Sequence, residues 1–414
     1  LNPRGIFFII QSHMISKTLS LYKNAYSGLS PSTWWLSFVM LINRSGTMVL
    51  PFMTIYLTSP KMGYSIGQAG FVMALFGLGA VTGGFLGGKL TDRIGFHKVQ
   101  LITLGGGGIM FMVLGQMRSF PLICLFTFLL SMVNDAFRPA NSTAIVAYSK
   151  EDTRTRSYAL NRLAINLGWA VGSAIGGLLA AINYELLFWV DGATNLTAVL
   201  LLWYFLHPSK QVKPVKKPVV ADPSHSAYRD KIYLLFILLT ILFACCFFQL
   251  FTNLNAYYKI ELHFNERFIG LIGAVNGIMI AIIEMVLIFK LEGRRSNLFY
   301  IVRGTILVGT AYFMLNLFQI NHLLAMLMMV VMTMGEILVL PFMNTFWTAR
   351  SADHNRGQYA GLYTIAWSIA QTMGPFLGAQ IAEHAGFNVL WWTLGGTSFV
   401  TAIGFLWLKK YMKV

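Results

Sequence analysis

Long apolar stretches fall along the chain at about 34–57, 66–88, 98–117, 120–148, 157–182, 185–206, 232–258, 267–289, 298–319, 322–348, 358–382 and 386–408. A helix needs roughly 20 mostly apolar residues to cross the hydrocarbon layer of a bilayer. The pattern therefore predicts twelve transmembrane helices joined by short polar turns. One stretch breaks the rhythm. Residues 207–230 contain KQVKPVKKPVVADPS, rich in Pro and Lys and without apolar periodicity, and they read as a linker. The organisation expected is a cytoplasmic N-terminal segment (1–30), a six-helix bundle (31–206), a cytoplasmic linker (207–230), a second six-helix bundle (231–408) and a cytoplasmic tail (409–414). Before Met14, the apolar run from Ile6 to Ile10 is too short to span, and a signal peptide would need a longer apolar core. That stretch reads as an upstream start or a cloning remnant, with Lys17 and Lys23 marking a cytoplasmic N-terminus.

The two sets of six segments echo each other. Tyr56 matches Tyr257, Gly70 matches Gly270 and Gly77 matches Gly277. Asp92 with Glu292, Asp135 with Glu336, Pro139 with Pro341, Arg156 with Arg356 and Gly172 with Gly374 continue the series. Eight pairs in order at a nearly constant offset, joining chemically similar residues, indicate an internal repeat.

Composition fits the same picture. Hydrophobic residues make up 56% of the chain and charged ones 11%, whereas a soluble domain carries about a quarter charged. The net charge of +16 raises nucleic-acid binding as a possibility, and its distribution argues against it. Of 31 Lys and Arg, 23 fall in the termini and alternate loops that share one side, and four, Lys61, Arg118, Lys259 and Arg267, fall on the other. Positive loops stay inside, so both termini are expected in the cytoplasm and the surplus charge faces anionic lipid. Cys124, Cys245 and Cys246 sit within apolar runs with no disulfide or metal spacing.

The turn after the second segment reads Gly88-Lys-Leu-Thr-Asp92-Arg93-Ile-Gly95-Phe-His-Lys98. It resembles the signature loop of the major facilitator superfamily. The glycines permit a tight turn, and Asp92 is expected to cap a helix start and to pair with basic residues across the interface between halves. The echo Glu292-Gly293-Arg294 keeps only the acid and the Arg. The fifth segment carries Gly168, Gly172, Gly176 and Gly177, similar to the antiporter motif of the same superfamily, with Ser173 where proline is usual. The eleventh carries the Pro form, Gly374-Pro375-Phe-Leu-Gly378. Such glycine stacks form smooth faces for helix packing. The chain thus resembles the twelve-helix drug:proton antiporters, which implies two pseudo-symmetric six-helix bundles related by an axis along the membrane normal. Gly88, Asp92, Arg93, Gly95, Lys98, Gly172, Gly176, Gly374 and Pro375 are then gating residues.

Charges inside the spans carry the most information, because each costs about 2.5–3.5 kcal/mol in hydrocarbon and so faces a cavity or a partner. Asp135 and Arg138 stand one turn apart on one face of the fourth segment, with Arg44 in the first. They read as a fixed ion pair or as a switch and substrate pair. Glu336 has no basic residue in its own segment until Arg350. It is the first candidate for a proton carrier, with Asp135 and Glu284 beside it. Arg162 and Arg303 are further intramembrane charges, Arg303 near a cytoplasmic end. Asp191, after an aromatic stretch, is expected to open the sixth helix in an interfacial role. Arg44, Tyr56, Arg138, Asn166, Asn253, Asn276 and Trp367 are the candidates for substrate contact, on segments where the resembled family places its cavity.

No P-loop, HExxH or CxxC occurs, and the eight His form no cluster. An enzyme, a cofactor and a metal are not expected. The expected partners are a small-molecule substrate, protons and the lipid bilayer, with no nucleic acid, for a monomer in a bacterial inner membrane. The function expected is proton-coupled export of small amphipathic or drug-like compounds by alternating access. Proton-coupled uptake of small peptides or other solutes is the alternative, although the E-x-x-E-R-F/Y element of the oligopeptide symporters is missing around Asn43-Arg44.

Overall fold

The protein is described by a computed structural model over residues 28–150, 153–208, 226–291, 293–351 and 356–412. Met14, Lys17, Lys23, Glu292, most of the linker (209–225) and the last two residues of the tail lie outside the described residues.

Helices begin where a side chain can satisfy the first free N–H groups. Ser30 caps α1 (Pro31–Ser45), with Pro31 in its first turn. Ser65 and Gln68 form a reciprocal capping box on α3 (Ile66–Ile94). Between them lies α2 (Val49–Thr58), and α4 (Phe96–Leu114) follows α3 after a single residue, Gly95 at φ 90°. Only glycine adopts that conformation without strain, and the signature loop turns there. Next come α5 (Phe120–Asp135), α6 (Phe137–Tyr148), α7 (Arg154–Ala180) and α8 (Glu185–Phe205). Asp230 caps α9 (Lys231–Phe248), which passes through a 3₁₀ turn at Gln249–Phe251 into α10 (Asn253–Ile260). The remaining helices are α11 (Glu266–Leu291), α12 (Asn297–Leu317), α13 (His322–Arg350), α14 (Arg356–Ala385) and α15 (Phe387–Tyr411).

Three spans are broken near mid-depth. The α1–α2 and α5–α6 breaks lie one turn before Pro51 and Pro139, and a proline removes the N–H that would bond the carbonyl four residues back. The α9–α10 break has no proline and is held open by side-chain amides, described below. Counting broken spans as one, eleven helices among the described residues are long and apolar enough to cross a membrane. The helix α14 has 30 residues and a more polar composition, and it packs against α9 of its own half and α3 of the other. The layout is consistent with the twelve spans expected.

Among the described residues, the main contacts that join the first six spans to the last six are α3 with α14, α7 with α11, and α2 with α10. Along α7 and α11 the backbones nearly touch, since a Cβ on Gly177 would lie 2.9 Å from the Gly270 Cα. Small residues allow this approach without a hydrophobic drive between helices. Along α3 and α14, a Cβ on Gly77 would lie 2.7 Å from the Thr372 Cα. Gly84 and Gly88 continue the same face of α3, yet nothing lies within 4 Å of either. Gly361, on the Thr372 face of α14, is equally open. The two helices therefore diverge toward the end of the bundle that carries the linker.

Candidate functional site

Where the halves diverge, a cavity of about 430 Å³ sits at mid-depth between them. The first half contributes Arg44, Thr47, Met73, Phe76, Arg138, Asn166 and Trp169, and the second contributes Phe248, Phe251, Asn276, Glu336, Trp367, Gln371 and Pro375. A side chamber of about 70 Å³ continues behind Arg44 and Arg138 to Asp135 and Asp191. Polar groups in an aromatic-lined space at the meeting of two halves are what a binding site for a small molecule requires.

On the first-half wall, Arg138 Nε lies 2.5 Å from Asp135 Oδ1. The Asp135 side chain is buried and Arg138 is 58% exposed, so the pair is anchored at the acid and open at the guanidinium. Arg44 is within electrostatic reach of both, yet it joins no ion pair among the described residues and its Nε is buried without an acceptor. On the opposite wall, Asn276 Nδ2 donates to Glu336 Oε2 and to Thr333 Oγ1, each at 3.0 Å. Glu336 has no cation in contact among the described residues. Glu284 is buried and held by Arg162 at 2.6 Å. The structure thus brings Arg44, Arg138, Asn166, Asn276, Glu336 and Trp367 around one space and seats Asp135 just behind it.

Other candidates lie elsewhere. Tyr56 is buried away from the cavity, accepting a 2.7 Å bond from Arg118 and packing on Phe188. Asn253 does not line the cavity. Its amide bonds Gln249 Oε1 at 2.6 Å and the Pro375 carbonyl at 3.0 Å, bracing the α9–α10 break. Asp191 is a clear correction to the sequence expectation. It lies inside α8 and is fully buried, where its carboxylate accepts the Met48 and Val49 N–H groups. It caps α2 in the membrane interior, where free N–H groups have no water to turn to.

The gating candidates separate into two groups. Gly88 is open, and Asp92, Arg93 and Lys98 are exposed. Asp92 sits in the last turn of α3, so it caps no helix start, and it forms no ion pair among the described residues. Gly172 and Gly374 do matching work in the two halves. Gly172 meets the Arg44 and Ser45 carbonyls, and Gly374 meets Cys245, each next to the break in the neighbouring span. Gly176 packs against Met48, and Pro375 offers its carbonyl to Asn253 while also lining the cavity.

The end of the bundle away from the linker is closed. Gly67 N–H donates to Glu383, Asn255 donates to the Pro51 carbonyl at 3.0 Å, and Tyr184 donates to Glu266 at 2.5 Å. Burial, and then the bond to Glu266, push the Tyr184 hydroxyl above the ordinary phenol range, so it remains a donor. Lys259 completes this cluster, and Lys61 and Arg118 hold Glu185 beside it.

Sequence reasoning passed over Trp169, Phe76, Phe248 and Phe251, because an aromatic residue in an apolar span gives no sign of which face meets the cavity. The clamp role of Asp191 was hidden for another reason: its partners are backbone groups of a helix about 140 residues away.

A polytopic bundle with an aqueous-sized cavity between two helix sets, closed at one end, is the architecture of a membrane transporter. The description of the Major Facilitator Superfamily matches residues 33–375, and the chain belongs to that family. It is a multi-pass secondary transporter and not an enzyme. A Na(+), Li(+), K(+)/H(+) antiporter of Planococcus maritimus is 22% identical, with 89% of this chain and 93% of that protein covered. The quinolone resistance protein NorA of Staphylococcus aureus (strain COL) is 19% identical, with 83% and 88% covered. Among solved structures, a POT family transporter in complex with a thioalcohol-conjugated peptide superposes with a TM-score of 0.78 at 16% identity, covering 94% of this chain and 98% of that one. That likeness concerns the fold.

Proposed function

We propose that this transporter exchanges protons for small amphipathic solutes and exports them across a bacterial inner membrane. The observation that carries the reading is Glu336, a carboxyl on the cavity wall held by a neutral amide where the other intramembrane acids on the cavity side are held by arginines. An ion in a dry interior costs several kcal/mol. Closing the cavity around Glu336 therefore requires a proton or a cationic partner on it, and opening it to water permits release. That requirement is what couples proton movement to alternation.

The direction rests on charge. With the Lys- and Arg-rich end in the cytoplasm, the cavity opens toward the cytoplasm, ready to collect solute there. The antiporter and quinolone-resistance relatives support exchange and export. Asp92, exposed at the cytoplasmic end of α3 in this conformation, would latch that end in the opposite one.

The test is flux in proteoliposomes with an imposed proton gradient, using a fluorescent quinolone. The quinolone should move against the direction of the protons, and Glu336→Gln should abolish the response to the gradient. Quinolone travelling in the same direction as the protons would overturn export.

A further inference from the structure

Donors outnumber acceptors on the first-half wall of the cavity. Two guanidiniums, Arg44 and Arg138, share one carboxylate, Asp135, and that carboxylate is engaged by Arg138 at 2.5 Å. The Arg44 Nε and the Trp169 indole N–H are both buried without an acceptor. Both residues line the cavity. Asp191, the other acid in the side chamber, is occupied by the backbone of α2. Glu336 stands on the opposite wall with its own amide partner. A buried N–H of a cation left without an acceptor is expensive, and the cavity that Arg44 and Trp169 line is where a ligand can supply one. Around these donors lie Phe76, Phe251 and Trp367, which suit an apolar or aromatic body.

We infer that the cavity takes amphipathic organic anions, with the acid group on Arg44 and the Trp169 N–H and the apolar body between the aromatic side chains. The inference rests on the transporter reading above and narrows its substrate class. It also has a consequence for energetics. Exchange of one inward proton for one outward monoanion moves two unit charges in the same sense, so a membrane potential drives it twice over, at about 2.3 kcal/mol per charge per 100 mV. Export of a monocation against one proton would move no net charge.

The test uses the purified full chain and two permanently charged probes on one scaffold, naphthalene-2-sulfonate and trimethyl(2-naphthyl)ammonium. Binding is read from the concentration dependence of the thermal midpoint. The sulfonate should raise the midpoint and the ammonium should not. Arg44→Gln should weaken sulfonate binding about ten- to hundredfold, the range for one lost charged hydrogen bond. Trp169→Phe, which keeps the ring and removes the N–H, should weaken it about fivefold. Stabilisation by the ammonium alone, or by neither probe, overturns the inference, as does sulfonate binding that survives both Arg44→Gln and Trp169→Phe intact. No proton gradient enters this measurement, so its failure is distinct from failure of proton coupling.

Discussion

The first and second halves place a break at the same depth of an equivalent span and hold it open by different chemistry. In α1–α2 the break is capped by a charged group, the buried Asp191 carboxylate, with Asn195 and Asn43 bonded behind it. In α9–α10 amides do the work: Gln249 bonds the Gly374 carbonyl at 2.7 Å and Asn253 bonds the Pro375 carbonyl. The cavity walls differ in the reverse sense. Asp135 on the first-half wall is neutralised by an arginine, whereas its repeat partner Glu336 has an amide. A repeat therefore conserves where the backbone must open and leaves free which side chain carries charge there. Under the proposed function, the half whose Asp135 and Asp191 are taken up by an arginine and by backbone leaves proton exchange to Glu336 in the other.

The largest expected effect falls on that division. Glu336→Gln should lower gradient-driven flux about hundredfold or more, as loss of a proton-transferring group does, while solute still exchanges down its own gradient. Asp135→Asn should keep the response to the gradient. Loss of the response in Asp135→Asn with retention in Glu336→Gln would reverse the roles of the walls.

The two breaks should differ next. Asp191→Ala strands two backbone N–H groups in the membrane interior, each worth about 1–3 kcal/mol, so stability in detergent should fall by about 2–6 kcal/mol. Gln249→Ala removes only neutral bonds, those to the Cys245 and Gly374 carbonyls and the one from the Asn253 amide, and should cost about 1–2 kcal/mol. Equal losses would show that the charged cap is no stronger than the amide brace.

Much of this was legible in the sequence. The apolar segments gave the spans because hydrocarbon thickness dictates their length. The constant offset tied Gly172 to Gly374, and the structure finds both seated beside a broken span. The isolation of Glu336 within its own segment also carried over, since among the described residues no arginine from another segment forms an ion pair with it. Other candidates meet partners that lie far along the chain. Tyr56 looked like a cavity residue until Arg118 and Phe188 closed over it. Glu284, read as a proton site, is met by Arg162 from α7. Side-chain direction within a nearly uniform apolar span depends on helix rotation, and the sequence gives little purchase on that when moments are weak on every side.

The smallest expected effect compares the two places where the chain enters its half. Ser30 caps α1 and donates to the Tyr148 carbonyl at the end of α6. Two hundred residues on, Asp230 caps α9 and grips Arg350, at the equivalent end of α13, through two bonds of 2.5 and 2.8 Å, with Tyr359 at 2.8 Å. Burial would raise the Asp230 carboxyl, but the bonds from Arg350, Tyr359 and the Tyr233 N–H outweigh it and hold the group below the ordinary aspartate range. A carboxyl lowered in the folded state adds stability above its unfolded value, about 3.9, and loses it as the pH falls through its folded value. The first-half cap has no group that titrates there. Amide exchange at the start of α9 should therefore quicken as the pH falls below about 4, relative to the start of α1, by about 1 kcal/mol of local stability. Asp230→Asn should show the faster exchange at neutral pH and no further change in acid. If α1 loosens in step with α9, acid acts on the bundle as a whole and the asymmetry of the two caps has no consequence.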